Sequence, residues 1–180
     1  MRTIVLYQSS TGSAERYAQD IASAVGATAL PLKKFKWKTL KDYECVVFGG
    51  WVRNGVIQGL NDFLAHYDDM MEKKQDIIIF SSGMSIPTKD GRAELISSNI
   101  LDLYHVRYYQ LRGNFDMEKL NFVNKLIMKR SLEYIAQDES ASPERKALLS
   151  LLERPIEYYD QEGVGKVVAL INRISTQERE

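Results

Sequence analysis

Short apolar runs alternate along the chain with longer stretches in which apolar residues recur every three or four positions. Four runs are brief, mostly apolar and rich in β-branched or aromatic residues: Thr3 to Tyr7, Cys45 to Phe48, Ile77 to Phe80 and Val106 to Leu111. Their length and side-chain shapes predict strands buried on both faces. A fainter strand is predicted over Ala27 to Leu32.

The intervening stretches carry the helical period. Ala14, Tyr17, Ala18, Ile21, Ala22 and Val25 form one stripe, and Val56, Leu60, Phe63, Leu64 and Tyr67 form another. A third helix is predicted from about Thr88 to Tyr104, and Val164, Val167, Val168, Ile171 and Ile174 mark a last one. Strands that alternate with helices close right-handed crossovers and give a parallel sheet covered on both faces. The predicted fold class is therefore α/β, a doubly wound, three-layer sandwich with five parallel strands in the order 2-1-3-4-5. One domain accounts for residues 1–180, because 44% apolar residues suffice for one core.

Residues 114 to 155, between strand 5 and the last helix, are far more than a connection needs. They read as a helical insertion. Leu120, Val123, Leu126 and Ile127 predict one stripe there, extended by Leu132 and Ile135; Ala147, Leu148, Leu151 and Leu152 predict another after Ser142 and Pro143.

Charge and chemistry narrow the function. Lys plus Arg and Asp plus Glu both total 24, so no overall field draws the chain to nucleic acid, and none is expected as a partner. The single cysteine, Cys45, excludes an internal disulfide or a cysteine metal cluster and fits a reducing compartment, so the cytoplasm is expected. The chain enters its first strand without a charged leader, and it has no apolar run of membrane-spanning length. His66 and His105 are far apart and lack ligand-spaced companions, so no metal site is expected. No Ser-His-Asp arrangement is evident.

In an open parallel sheet the ligand lies beyond the carboxyl ends of the strands where strand order reverses. That directs attention to Gln8 to Ala14 and Gly49 to Gly55. The first loop offers hydroxyls on Ser9, Ser10, Thr11 and Ser13, a Gly12 that permits close backbone approach, and the leading amides of a helix. Two readings stand: a phosphate site, or a hydroxyl cap on the helix.

The sequence SSTGSAE directly after a first strand resembles the phosphate loop of the flavodoxin superfamily, with Ser9, Thr11 and Gly12 matching and Ala14 departing from its last hydroxyl. GGWVRNGVIQG (Gly49 to Gly59), NKLIMKRS (Asn124 to Ser131) and EYYDQEGVGKVVALI (Glu157 to Ile171) resemble the branch that includes the quinone-dependent, flavodoxin-type protoporphyrinogen oxidases. The resemblance implies a flavodoxin-like sandwich and FMN as cofactor. It implies phosphate contacts from Ser9, Ser10, Thr11, Gly12, Ser13 and Ala14. It also implies flavin-ring contacts from Gly50, Trp51, Val52, Arg53, Asn54 and Gly55, and from Ser81, Ser82, Gly83 and Met84.

Within that frame, Trp51 is a candidate ring-stacking residue or a packing anchor. Arg53 is the candidate catalytic residue, because a guanidinium beside a flavin favours its reduced, anionic form, whereas flavodoxins surround theirs with acidic groups. The alternatives for Arg53 are a contact to a substrate or partner carboxylate and an ordinary surface charge. Asn54-Gly55 is a turn able to adopt positive φ. Arg112 and Gly113, at the end of strand 5, are further candidates to reach the site. Tyr108 and Tyr109 fall on opposite faces of that strand.

The implied function is a flavodoxin-family redox protein transferring electrons through bound flavin to or from a partner protein or a quinone. The alternative is a protoporphyrinogen oxidase-like enzyme with a small-molecule substrate. In that alternative the insertion, with Lys119, Lys125, Lys129 and Arg130 beside its apolar stripes, covers the flavin or contacts a membrane surface peripherally. A third reading leaves the turn as a cap and binds no cofactor.

Overall fold

The computed structural model describes residues 1–141, 146, 148–149, 155 and 157–177. Strands β1 (Thr3–Gln8), β2 (Thr28–Pro31), β3 (Cys45–Arg53), β5 (Asp76–Gly83) and β6 (Arg107–Arg112) pair in parallel, in the order β2-β1-β3-β5-β6. A two-residue strand, β4 (Val56–Ile57), attaches antiparallel to the end of β3. Apart from β4, this is the predicted 2-1-3-4-5 arrangement of a flavodoxin-like sandwich.

Alternation of side chains across the pleat builds two cores from the same strands. Ile4, Leu6, Val46, Phe48, Ile77 and Ile79 face one way. They meet Leu60 and Phe63 of α2 (Leu60–Leu64), Met70 of α3 (Tyr67–Glu72) and Leu95 of α4 (Lys89–Ser98). Val5, Val47, Ile78 and Phe80 face the other way, against α1 (Ser13–Ala24) and α6 (Gln161–Gln177). In α1 the buried residues are Ala14, Tyr17, Ala18, Ile21 and Ala22, the stripe its period predicts. Tyr17 also ties three elements together, because its hydroxyl donates to the Arg112 carbonyl and accepts the Asp160 amide at 2.8 Å.

The predicted helix over Val56 to Tyr67 is corrected. Asn54 (φ 51) and Gly55 (φ 77) form a two-residue hairpin turn. The twist of such a turn suits antiparallel strands, so Val56 pairs with Arg53 and does not open a helix. Two short helices follow, broken at Ala65 and His66. The third predicted helix is also shorter. Thr88 caps α4, accepting the Gly91 amide at 3.0 Å, and the helix stops at Asn99, where Ile100 turns to φ 48.

The insertion contains α5 (Phe122–Gln137), capped by Asn121, which accepts the Asn124 amide at 2.9 Å. Its predicted single stripe divides between two faces. Leu132 and Ile135 are buried against Ala141, Met117, Met128, Leu148 and Leu149, while Val123, Leu126 and Ile127 are exposed. Of the second predicted stripe, Ala147, Leu151 and Leu152 lie outside the described residues. Among those described, no helix is long and apolar enough to cross a membrane.

Gly49 sits opposite Phe80 on neighbouring strands, and the Phe80 ring fills the space a side chain would take. A Cβ there would lie 1.9 Å from Phe80 Cζ, and that ring is wholly buried. Gly49→Ala is expected to destabilise the fold by about 2 kcal/mol, as overpacking does. A lower urea midpoint with an unchanged slope would be the signature, and an unchanged midpoint would contradict this packing.

Candidate functional site

The carboxyl ends of β1, β3 and β5 open onto one cavity of about 760 Å³. The strand order reverses between β1 and β3, so the cavity occupies the switch point of the sheet.

One wall comes from the loop after β1, through Ser9 and Thr11, and from the start of α1, through Ser13 and Ala14. Helix α1 begins with Gly12 as N-cap at φ 95, and no side chain caps its leading amides. A left-handed φ is open to glycine at little cost, which suits Gly12 to this turn. Ser9 Oγ accepts the Gly12 amide at 3.2 Å, and Ser13 Oγ accepts the Asn114 amide at 3.0 Å. The hydroxyls therefore tighten the turn and anchor it to the chain after β6; the helix end itself keeps its donors. Ser10 is exposed and does not line the cavity.

The second wall is the β3–β4 hairpin, contributing Trp51, Val52, Arg53, Asn54 and Gly55. Trp51 and Val52 are half-buried, and Arg53 and Asn54 are exposed. Gly50 lies behind this wall: a Cβ on it would come 2.5 Å from Ile57 Cγ2 and 2.7 Å from the Gln58 carbonyl. Its smallness lets the chain after the turn lie across β3.

Ser81, Ser82 and Gly83 form the third wall with Met84 and Ser85. Ser81 and Ser82, just past the strand predicted over Ile77 to Phe80, are paired residues of β5 and buried. Ser81 Oγ lies 2.6 Å from the Tyr108 hydroxyl, and burial pushes that phenol up to about 12. Across the cavity, Asn124, Ile127, Met128, Arg130, Ser131 and Tyr134 of α5 add a fourth wall. Arg53 and Arg130 against Glu94 leave the lining with one excess positive charge.

Other candidates lie elsewhere. Arg112 stacks over Tyr158, 4.7 Å from the ring centre, outside the lining. Gly113 is a close-packing residue: a Cβ on it would be 2.4 Å from Ser82 Oγ and 3.2 Å from Ser13 Cβ. Tyr108 and Tyr109 face opposite cores. His66 stacks on Trp37 with ring centres 3.6 Å apart, and Cys45 is buried in the sheet. Among the described residues, no cluster of His, Cys, Asp or Glu could hold a metal ion.

Sequence reasoning missed Gln110, on the cavity floor, and Asn99, beneath the hairpin turn. Gln110 had a signal, since alternation places it on the Tyr108 face at the carboxyl end of its strand. Asn99 had none.

A model of the flavodoxin domain family matches residues 4–142. No curated protein matches the sequence. Solved structures similar to this chain include a flavodoxin from the domain Archaea, with 15% identity, covering 72% of this chain and 92% of that one at a TM-score of 0.43. Oxidised Flavodoxin 1 from Bacillus cereus has 16% identity, 77% and 100% coverage and a TM-score of 0.42. A flavoprotein in complex with FMN from Lactobacillus acidophilus has 12% identity, 62% and 91% coverage and a TM-score of 0.42.

Three phenols should titrate late. Tyr7 reaches about 12 through burial and its 2.7 Å hydrogen bond to Glu15; Tyr159 does so through burial and its 2.8 Å bond to Asp20; Tyr108 joins them. Because the folded state holds these protons more tightly, their stabilising contribution is complete below about pH 10 and is lost as pH rises toward about 12. Phenolate absorbance should show a group of tyrosines ionising only with alkaline unfolding. A single step near pH 10 with the fold intact would contradict the assigned environments.

Proposed function

Because the chain belongs to the flavodoxin domain family, we propose that it is a redox protein that binds FMN in this cavity and passes electrons through it. The observation that carries this reading is the start of α1. Its leading amides have no side-chain cap, and the cavity they border is lined by the hydroxyls of Ser9, Thr11 and Ser13. Such a helix end attracts an anionic group.

The residues present fit the cofactor. The phosphate would sit on Ser9 to Ala14, where Ala14 contributes backbone only and the Ser9 and Thr11 hydroxyls supply side-chain donors. The flat ring would lie between Trp51 to Gly55 and Ser81 to Met84, with Trp51 and Met84 as apolar contacts. Bound FMN supplies one- and two-electron redox chemistry. Arg53 would set how easily electrons enter, because a fixed positive charge favours the form that has gained negative charge.

FMN titrated into the protein should lose its fluorescence at a one-to-one ratio. Replacing Ser9 and Thr11 together by Ala should weaken binding roughly 10-fold or more, the cost of losing charge-assisted hydrogen bonds. Arg53→Ala should lower the flavin midpoint potential by an amount on the order of tens of millivolts. Protein that leaves FMN fluorescence unchanged would refute the cofactor, and an unmoved potential would make Arg53 a plain surface charge.

One observation favours the second reading, a protoporphyrinogen oxidase-like enzyme passing electrons to a quinone. Helix α5 walls the cavity and also exposes Phe122 (81%), Val123 (63%) and Leu126 (45%) beside Lys129 and Arg130. An apolar face flanked by cations suits an anionic membrane surface, where a lipid-soluble acceptor resides. A protein partner docking over the flavin is the corresponding role of this face in an electron carrier. Both readings put the protein in the cytoplasm, the enzyme at the membrane surface.

Anaerobic holoprotein supplied with protoporphyrinogen and a menaquinone analogue separates the two. The enzyme turns over and sediments with anionic vesicles, and Phe122→Glu releases it from them. The carrier shows no turnover but is reduced rapidly by a flavodoxin reductase.

A further inference from the structure

The hairpin that brings Trp51 and Arg53 to the cavity projects beyond the pairing of β1. Trp51 is still paired with Ser82 of β5, and beyond it two residue pairs, Val52 with Ile57 and Arg53 with Val56, and the Gln58 amide donating to the Trp51 carbonyl at 2.9 Å join the hairpin's strands. So short a hairpin is not stable alone. A third partner comes from the far end of α4. Asn99 Oδ1 accepts the Ile57 amide at 2.8 Å, and Asn99 Nδ2 donates to the Gly55 carbonyl at 2.8 Å and to the Leu95 carbonyl at 2.8 Å.

These bonds define the orientation of the amide, because only its oxygen can accept a backbone N–H. Asn99 is 7% exposed and Ile57 1% exposed, so water is a poor substitute for either partner. The next residue, Ile100, adopts φ 48 and ψ 30, a left-handed conformation unfavourable for a β-branched side chain. That conformation ends α4 directly after Asn99. A strained residue survives where the surroundings over-determine it, and Asn99, bonded to both sides of the joint, is such a surrounding.

We infer that Asn99 is a positioning residue of the cavity: its side-chain amide fixes the two peptides flanking Val56 and so, together with the β5 pairing of Trp51, holds Trp51 and Arg53 on the cavity wall. This rests on the FMN reading for the ligand, but not for the clamp. A hairpin released from Asn99 spends less time in the binding geometry, and apparent affinity falls in proportion to that fraction.

The test uses the full chain and two variants, Asn99→Ala and Asn99→Asp. The introduced carboxyl is isosteric with the amide. Ionised, it still accepts the Ile57 amide but repels the Gly55 carbonyl; protonated, it donates to that carbonyl again. Burial raises its pKa, so protonation is reached in mildly acidic solution.

Without FMN, Asn99→Ala should speed hydrogen exchange at the Ile57 amide roughly 10-fold or more, leaving Val5 and Val47 unaffected. With FMN, its dissociation constant should rise by a comparable factor. Asn99→Asp should match Asn99→Ala at about pH 8 and return to within about threefold of the parent protein at about pH 5.

Unchanged exchange at Ile57 overturns the inference. So does accelerated exchange with unchanged FMN affinity, and so does an affinity loss that accompanies faster exchange across the whole sheet. If the parent chain binds no FMN, the cofactor reading fails and the clamp is judged without it. In a Trp37→Phe background, Trp51 emission should then shift to the red on Asn99→Ala, and an unshifted spectrum overturns the inference.

Discussion

Strand β3 is hydrogen-bonded to β1 along one edge and to β5 along the other, from Cys45 to Gly50, and then runs past the end of β1 to Arg53. Its first six residues are buried and belong to the two cores; its last three emerge and belong to the cavity. One strand thus fixes where the hydrophobic interior stops and where binding chemistry can begin. The parallel pairing aligns the ends of β1 and β5 with that boundary, so the hydroxyl turn, the hairpin and the serines of β5 converge without any long loop.

The hydroxyl turn shows how the surroundings decide a motif's role. Ser9 and Ser13 have partners in the turn and in the chain after β6, so neither serves as a cap. The cavity then gathers the helix end, an apolar wall, two arginines and one glutamate. The insertion completes the enclosure. Helix α5 uses Leu132 and Ile135 to hold itself down, Asn124 and Ser131 to line the cavity, and Phe122 and Leu126 to face outward.

Much of this was legible because it is periodic or local. The strands, the α1 stripe and the position of the hydroxyl turn follow from alternation, the helical period and the switch-point rule. What was not legible depended on competition or distance. Val56 shares a helical spacing with Leu60 and Phe63, but the Asn54-Gly55 turn overrides it. In α5 the apolar spacing reveals a helix and not which face is covered, so Val123 and Leu132 could not be told apart. Asn99 is bonded to Ile57, 42 positions away, and to Gly55, 44 positions away, and no period connects them.

Gly49 and Phe80 share one volume: the ring of one occupies the place of the other's missing side chain. Neither position can drift freely during evolution. A methyl group at 49 requires a smaller residue at 80, and loss of the ring at 80 opens a hole that a side chain at 49 can refill. Across diverging relatives the two positions must change as a pair, and either single change passes through a destabilised intermediate. The centre of the sheet, one residue below the cavity lining at Ser81, therefore limits how quickly the wall above it can be remade.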